Sequence, residues 1–190
     1  ARKGVPMTVS SPPRHFIGEQ EYLDGERHSE LRHEYIDGQV YAMTGASDRH
    51  GLILNALAYS MTPAARRKGC QLFTSDMKLR LEIGGKTCFY YPDLLLSCDP
   101  QDREPYFRRS PCLIVEVLSE STARIDRREK LLAYQSLPSL QAYLLVEQEA
   151  RRVELYRRAT DWRVEYHEAG EIWLDCLELA LPLAEVYADV

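Results

Sequence analysis

Apolar residues recur along the chain in two rhythms, and the switches between them predict a layered α/β fold. From His50 to about Arg67, Leu52, Ile53, Ala56, Leu57 and Met61 return at helical spacing, with Pro63 expected to limit or kink that helix. Ser75 to Ile83 has the other rhythm: Met77, Leu79, Leu81 and Ile83 alternate with Asp76, Lys78, Arg80 and Glu82, as in a half-exposed strand. Gly84-Gly85 then predicts a two-residue turn into a strand over Thr87 to Ser97, and Asp37-Gly38 predicts another tight hairpin within HEYIDGQVYAM. Cys112 to Leu118 is apolar throughout except for Glu116 and reads as a central strand. A helix capped by Ser121 or Thr122 is predicted to reach about Ser136, since Pro138 cannot continue it. A short helix within residues 15–25 and three late strands, Ala142 to Glu147, Arg152 to Arg157 and Arg163 to His167, complete the pattern. The fold class is therefore α/β, a sheet with a central strand flanked by helices and with additional antiparallel strands near the C-terminus. Residues 1–14 read as a loose tail and 15–190 as one domain.

Composition narrows the classes of function. A chain of 190 residues with 45% hydrophobic and 28% charged residues has a globular balance and enough length for one ordinary core. No stretch approaches the roughly 20 apolar residues of a membrane helix, and the first dozen residues hold no secretory signal, so the expectation is a cytoplasmic protein with no membrane partner. Met7 is the expected native start. The five cysteines (Cys70, Cys88, Cys98, Cys112, Cys176) are odd in number and form no CxxC pair, which predicts reduced, small buried residues rather than a disulfide framework or a thiolate zinc site. A net charge of −5 argues against a broad nucleic-acid groove. Residues 60–130, however, hold 13 Lys/Arg against 10 Asp/Glu, so the middle of the chain can tolerate phosphates.

Two carboxylates stand where apolar residues are expected. Asp93 lies between Tyr91-Pro92 and Leu94-Leu95-Leu96, and Glu116 lies inside the apolar strand. A lone ionised carboxylate there loses several kcal/mol of hydration unless a cation compensates. Two such residues on neighbouring strands make a hard-cation site of oxygen ligands, the alternative being strand-terminal or salt-bridged carboxylates. Asp126, Lys130 and Tyr134 recur every four residues on the following helix and share a face, which either directs Lys130 toward Glu116 or leaves it in a surface pair with Asp126. His50 opens its helix, where it serves as a cap, a packing residue or an anion contact. Lys78 and Arg80, on the polar face of their strand, are either a solvated face or contacts to a nucleic-acid backbone. Asp76 is a candidate for a supporting group. The pairs Arg66-Arg67, Arg108-Arg109, Arg127-Arg128, Arg151-Arg152 and Arg157-Arg158 are candidate phosphate contacts, and Tyr90, Tyr91 and Tyr106 are candidate base-stacking groups.

Taken in order, HEYIDGQVYAM, DRHGLI, YYPDLLL, IVEVLSESTARIDRREKLLAY and LQAYLLVE resemble a prokaryotic family of restriction-endonuclease-like proteins of unknown biological role, within the PD-(D/E)xK nuclease superfamily. The resemblance covers about Glu34 to Glu185. It implies a restriction-endonuclease-like mixed sheet flanked by helices and Mg²⁺-dependent hydrolysis of DNA phosphodiester bonds, with Mn²⁺ as a substitute. It further implies that Asp93 and Glu116 hold the metal, that Glu34 joins them directly or through water, and that Lys130 is the catalytic lysine. In the superfamily pattern the lysine stands two residues after the glutamate, where this chain has Leu118; the resembling family carries it on the next helix, which matches Lys130. His50 and Lys78 are the substrate-binding candidates. The alternative is a non-catalytic DNA-binding or regulatory module on a nuclease scaffold. A homodimer is expected, with the C-terminal strands near Trp162 and Trp173 as its interface.

Overall fold

Polar hairpin turns and one proline decide how the strands divide. In the computed structural model, which describes residues 15–190 except 121, 124 and 125, α1 (Glu19–Glu26) leads into the hairpin β1 (His33–Ile36) and β2 (Gln39–Ala42). Asp37 and Gly38 both have positive φ (47° and 86°), as the predicted tight turn requires, and Gly84-Gly85 repeats the device (56° and 78°) between β4 (Lys78–Ile83) and β5 (Lys86–Tyr90). The expected strand over Thr87 to Ser97 is instead two strands. The ladder of β5 stops at Tyr90, Pro92 has no N–H to continue it, and the chain resumes as β6 (Leu94–Ser97) in a different sheet. Asp93 sits in that passage between sheets.

The first sheet has the order β2-β1-β5-β4-β7, with β7 (Phe107–Arg108) parallel to β4. The second has the order β11-β10-β9-β8-β6-β3, comprising β3 (Gln71–Thr74), β6, β8 (Pro111–Val117), β9 (Ala142–Val146), β10 (Val153–Arg157) and β11 (Val164–His167). Its β8–β9 pair is parallel and its other pairs antiparallel, so both sheets of the α/β fold are mixed. The C-terminal addition is a separate hairpin, β12 (Glu171–Leu174) and β13 (Leu179–Pro182), followed by the short helix α4 (Leu183–Val186). The predicted tail 1–14 and the Ser121 cap lie outside the described residues.

Alternation along β8 divides the core. Leu113, Val115 and Val117 face α2 (Asp48–Arg67), whose Ile53, Leu57 and Met61 are fully buried against them. Ile114, Glu116 and Leu118 face the other way, toward Leu79, Leu81 and Tyr90 of the first sheet. The sheet is thus covered on both faces, which accounts for its unbroken apolar strands. Pro63 does not stop α2. The carbonyl it leaves without a donor belongs to Tyr59, which is 85% exposed, while the Thr62 hydroxyl donates to the Ala58 carbonyl at 2.6 Å.

The predicted helix after Glu116 contains a five-residue π segment, Asp126–Lys130, running into α3 (Leu131–Gln135). The side chain of Asp126, and with it the expected Asp126–Lys130 relation, lies outside what the structure describes.

The cysteine expectation is overturned. Cys70–Cys98 and Cys112–Cys176 are disulfides, and Cys88 alone is a buried free thiol whose pKa burial pushes up. The first bridge follows strand register rather than sequence spacing: β3 pairs Gln71 with Ser97, so Cys70 and Cys98 stand next to each other across the ladder, while the second ties β8 to the turn between β12 and β13. No helix among the described residues is long and apolar enough to cross a membrane.

Candidate active site

Three carboxylates and one lysine converge where the chain crosses from one sheet to the other. The β6–β8 register pairs Leu94 with Val115, and one further step sets Asp93 beside Glu116 on the face between the sheets. The two strands interlock there. The Val117 N–H donates to Asp93 Oδ2 at 2.7 Å, and the Asp93 N–H donates to Glu116 Oε2 at 3.3 Å. Each carboxylate therefore gains backbone donors in place of lost water.

Side chains from other elements complete the cluster. Lys130, 6% exposed at the end of the π segment, places Nζ 3.4 Å from Glu116 Oε1 and 3.2 Å from Glu34 Oε1 of β1. Tyr134, one turn later on α3, donates its hydroxyl to the same Glu116 oxygen at 3.2 Å. Glu34 also accepts the Tyr91 N–H at 3.4 Å. His50, in the first turn of α2, brings Nε2 to 3.1 Å from Asp93 Oδ1. The sequence-predicted residues Glu34, Asp93, Glu116, Lys130 and His50 thus share one site.

Lys78 does not lie on the solvated face that alternation predicts. It is 6% exposed, with Nζ 5.3 Å from the centre of the Tyr91 ring, and burial lowers its pKa. Arg80 is bound by Glu19 at 2.6 Å, and Asp76 is an exposed partner of Arg32. Several of the arginine pairs are spent inside the protein: Arg108 on Gln71, Arg127 on Glu147 and Glu154, Arg157 on Glu165 and Asp175, and Arg158 on the carbonyls of Leu137 and Leu140. Tyr90 and Tyr91 are both 4% exposed, so neither offers a face to a base. Burial drives the Tyr90 hydroxyl up to about 12, and burial together with Glu26 raises that of Tyr91. Tyr106 lies under the Arg27 guanidinium. Trp162 packs into the core cluster between the sheets, and Trp173 is half exposed.

Two supports escaped the sequence reading. Glu26 accepts the Tyr91 hydroxyl at 2.6 Å and the His33 N–H at 3.1 Å, which fixes the segment before Asp93. Gln148 bridges the N-terminus of α2 to the end of β8: it accepts the Ser47 hydroxyl and donates to the Leu118 carbonyl, each at 2.7 Å. The only signal for it was a polar residue two positions beyond an apolar strand.

A model of the family described as Uma2, putative restriction endonuclease, matches residues 19–184. The chain belongs to the Uma2 family. It is 35% identical over 188 residues to the uncharacterized protein slr1290 of Synechocystis, covering 95% of this chain and 97% of that one. A second Synechocystis protein, the uncharacterized sll1609, is 33% identical over 144 residues, covering 74% and 80%. The crystal structure of a putative nuclease belonging to DUF820 from Anabaena variabilis superposes with a TM-score of 0.70 at 16% identity, covering 89% of this chain and 96% of that one. That likeness confirms the restriction-endonuclease-like fold for this Uma2 member. The family assignment supports a nuclease-like, hydrolytic function with DNA as the family's substrate class.

The donor chemistry of Asp93 and Glu116 fits the divalent cation such nucleases generally use, because both supply hard carboxylate oxygens at adjacent ladder positions. Among the described residues no group of three or more His, Cys, Asp or Glu is arranged as a complete ligand set. These two residues are the candidate ligands.

Proposed function

We propose that this chain is a metal-dependent endonuclease that hydrolyses DNA phosphodiester bonds at the Glu34–Asp93–Glu116–Lys130 cluster. One observation carries the reading: the side chains of Glu34, Glu116 and Lys130, from three separate elements, meet within hydrogen-bonding reach, and Asp93 is interlocked with Glu116 through backbone N–H groups, in an otherwise apolar layer. Buried charge at that density lowers stability, so its presence calls for a use.

Asp93 and Glu116 would hold Mg²⁺, with Mn²⁺ as a substitute, and the cation would supply a lowered water pKa and charge neutralisation at the phosphate. Lys130 offers its ammonium as a compact point charge to the phosphate oxygens as negative charge builds. Glu34 holds that ammonium from the first sheet while Tyr134 fixes Glu116, so neither group must reorganise. His50 orients Asp93 through Oδ1.

A non-catalytic DNA-binding module is the second reading. It is favoured by the contacts of Lys130 with Glu116 and of His50 with Asp93, which already engage the carboxylates that a cation would need. Purified protein incubated with supercoiled plasmid in Mg²⁺, Mn²⁺ or EDTA, beside Asp93→Asn, separates the two. Nicking that needs metal and falls at least 100-fold in the variant supports the nuclease. Metal-dependent nicking retained in the variant contradicts it, and DNA binding by the wild type without cleavage supports the module.

A further inference from the structure

Strand register lays a row of side chains across the first sheet on the face that meets Lys130. Glu34 stands opposite Tyr41 in the β1–β2 hairpin, and Leu79 stands opposite Tyr90 in the β4–β5 hairpin. The β1–β5 pairing at Tyr35 and Phe89, carried one step further, sets Glu34 beside Tyr90. Directly opposed residues project to the same face, so the row runs Tyr41, Glu34, Tyr90, Leu79. Three of its members are already committed. Leu79 is fully buried, Tyr90 has the Lys130 ammonium 5.3 Å from its ring centre, and Glu34 binds that ammonium.

Tyr41 is the outermost member. It sits on β2, the edge of the sheet, is 48% exposed, and among the described residues has no hydrogen bond or ring contact from its side chain. An exposed tyrosine on an edge strand is ordinary in itself. What sets this one apart is its place directly across from Glu34, with Cβ atoms about 5 Å apart in such a pair. Of the sequence candidates for stacking, Tyr90 and Tyr91 are buried and Tyr106 is exposed but covered on one face by the Arg27 guanidinium; the register brings forward Tyr41.

We propose that Tyr41 is a stacking platform for a nucleobase flanking the phosphate held at the Asp93–Glu116–Lys130 site. This rests on the nuclease reading and deepens it by naming a substrate class. A base inside a duplex already has both faces covered, so the ring can take only an unstacked one, and the favoured substrate is single-stranded or locally unpaired DNA. Stacking on one aromatic contributes about 5- to 150-fold in affinity.

The test measures kcat and KM in Mg²⁺ for a single-stranded oligonucleotide and its duplex, with wild type, Tyr41→Phe and Tyr41→Ala. Tyr41→Ala should raise KM for the single strand about 5- to 150-fold with kcat within threefold, and Tyr41→Phe should match wild type. A thermal melt of Tyr41→Ala within about 2 °C of wild type is expected, since little is buried there. An active wild type with an unchanged KM in Tyr41→Ala overturns this inference and leaves the nuclease standing. Loss in Tyr41→Phe equal to that in Tyr41→Ala overturns stacking in favour of the hydroxyl, and a wild type that cuts duplex with the lower KM overturns the substrate class. A wild type that cuts neither DNA overturns the nuclease reading, and the inference with it.

Discussion

Strands β6 and β8 form one antiparallel pair with two unlike ends. At one end Asp93 and Glu116 exchange hydrogen bonds with each other's backbone and face Lys130, Tyr134 and His50. At the other, Cys98 and Cys112 are each tied by a disulfide, to Cys70 and to Cys176. The same ladder separates them by roughly 16 Å of extended chain. The far end is held by covalent closure and by packing against α2, which both stabilise. The charged end holds groups whose desolvation opposes folding and is offset only by their mutual arrangement. On the proposed function, stability and chemistry fall at opposite ends of one strand pair, and the comparison can be broken at either.

The largest effect is expected at the charged end. Lys130→Met removes the ammonium between Glu34 and Glu116, so two carboxylates face each other in an apolar layer. A loss of about 3 kcal/mol in urea unfolding and at least 100-fold in cleavage should follow. An unchanged unfolding midpoint would mean that water reaches these carboxylates freely.

Reduction tests the other end. Opening the bridges should lower stability by about 2–4 kcal/mol each and the melting temperature by about 5–15 °C. Because the bridges are remote from the carboxylates, kcat at 25 °C should stay within threefold. A fall in kcat at unchanged fold, seen by comparing cleavage and circular dichroism before and after reductant, would couple the two ends and break the contrast.

A smaller effect is expected where α2 is pinned to the site. Gln148→Ala leaves the Ser47 hydroxyl and the Leu118 carbonyl without their contact and should cost about 1–3 kcal/mol, with a lower kcat if His50 moves with its helix.

Lys78 gives the smallest change and the opposite sign. Its pKa lies below that of a free lysine because burial disfavours the charged form, so its charge destabilises the fold at neutral pH. The unfolded chain holds the proton up to the ordinary lysine pKa while the folded one releases it earlier. Wild-type stability should therefore gain from Lys78 as pH rises through that window. Lys78→Met should be neutral to stabilising at pH 7, with the advantage shrinking toward pH 10, as read by urea unfolding at both pH values.

How far the sequence carried depended on the range of the interaction. The α2 face, the Asp37-Gly38 and Gly84-Gly85 turns and the β8 strand were legible because each is set by spacing within a few residues. Asp93 and Glu116 were legible because charge inside apolar runs is costly, and Lys130 through its helical spacing with Tyr134, which agrees with their meeting at Glu116. The disulfides were not, because Cys70 and Cys98 become neighbours only through the β3–β6 register. Lys78 was misjudged because alternation assigns one face to solvent, whereas here Tyr91 lies over that face. The break at Pro92 was visible as a proline, but its consequence, a change of sheet, depends on partners far away in sequence.

The central claim, that the charged end of β6 and β8 is a hydrolytic site, is tested most directly by single-turnover nicking of supercoiled plasmid in Mg²⁺ by Glu116→Gln. The amide keeps the size of the carboxylate but removes its charge and turns one of its two acceptor oxygens into a donor. The account predicts a folded variant whose nicking is slower than wild type by at least 1000-fold, on the order of the loss of a principal electrostatic group. Nicking at the wild-type rate by the folded variant would contradict it.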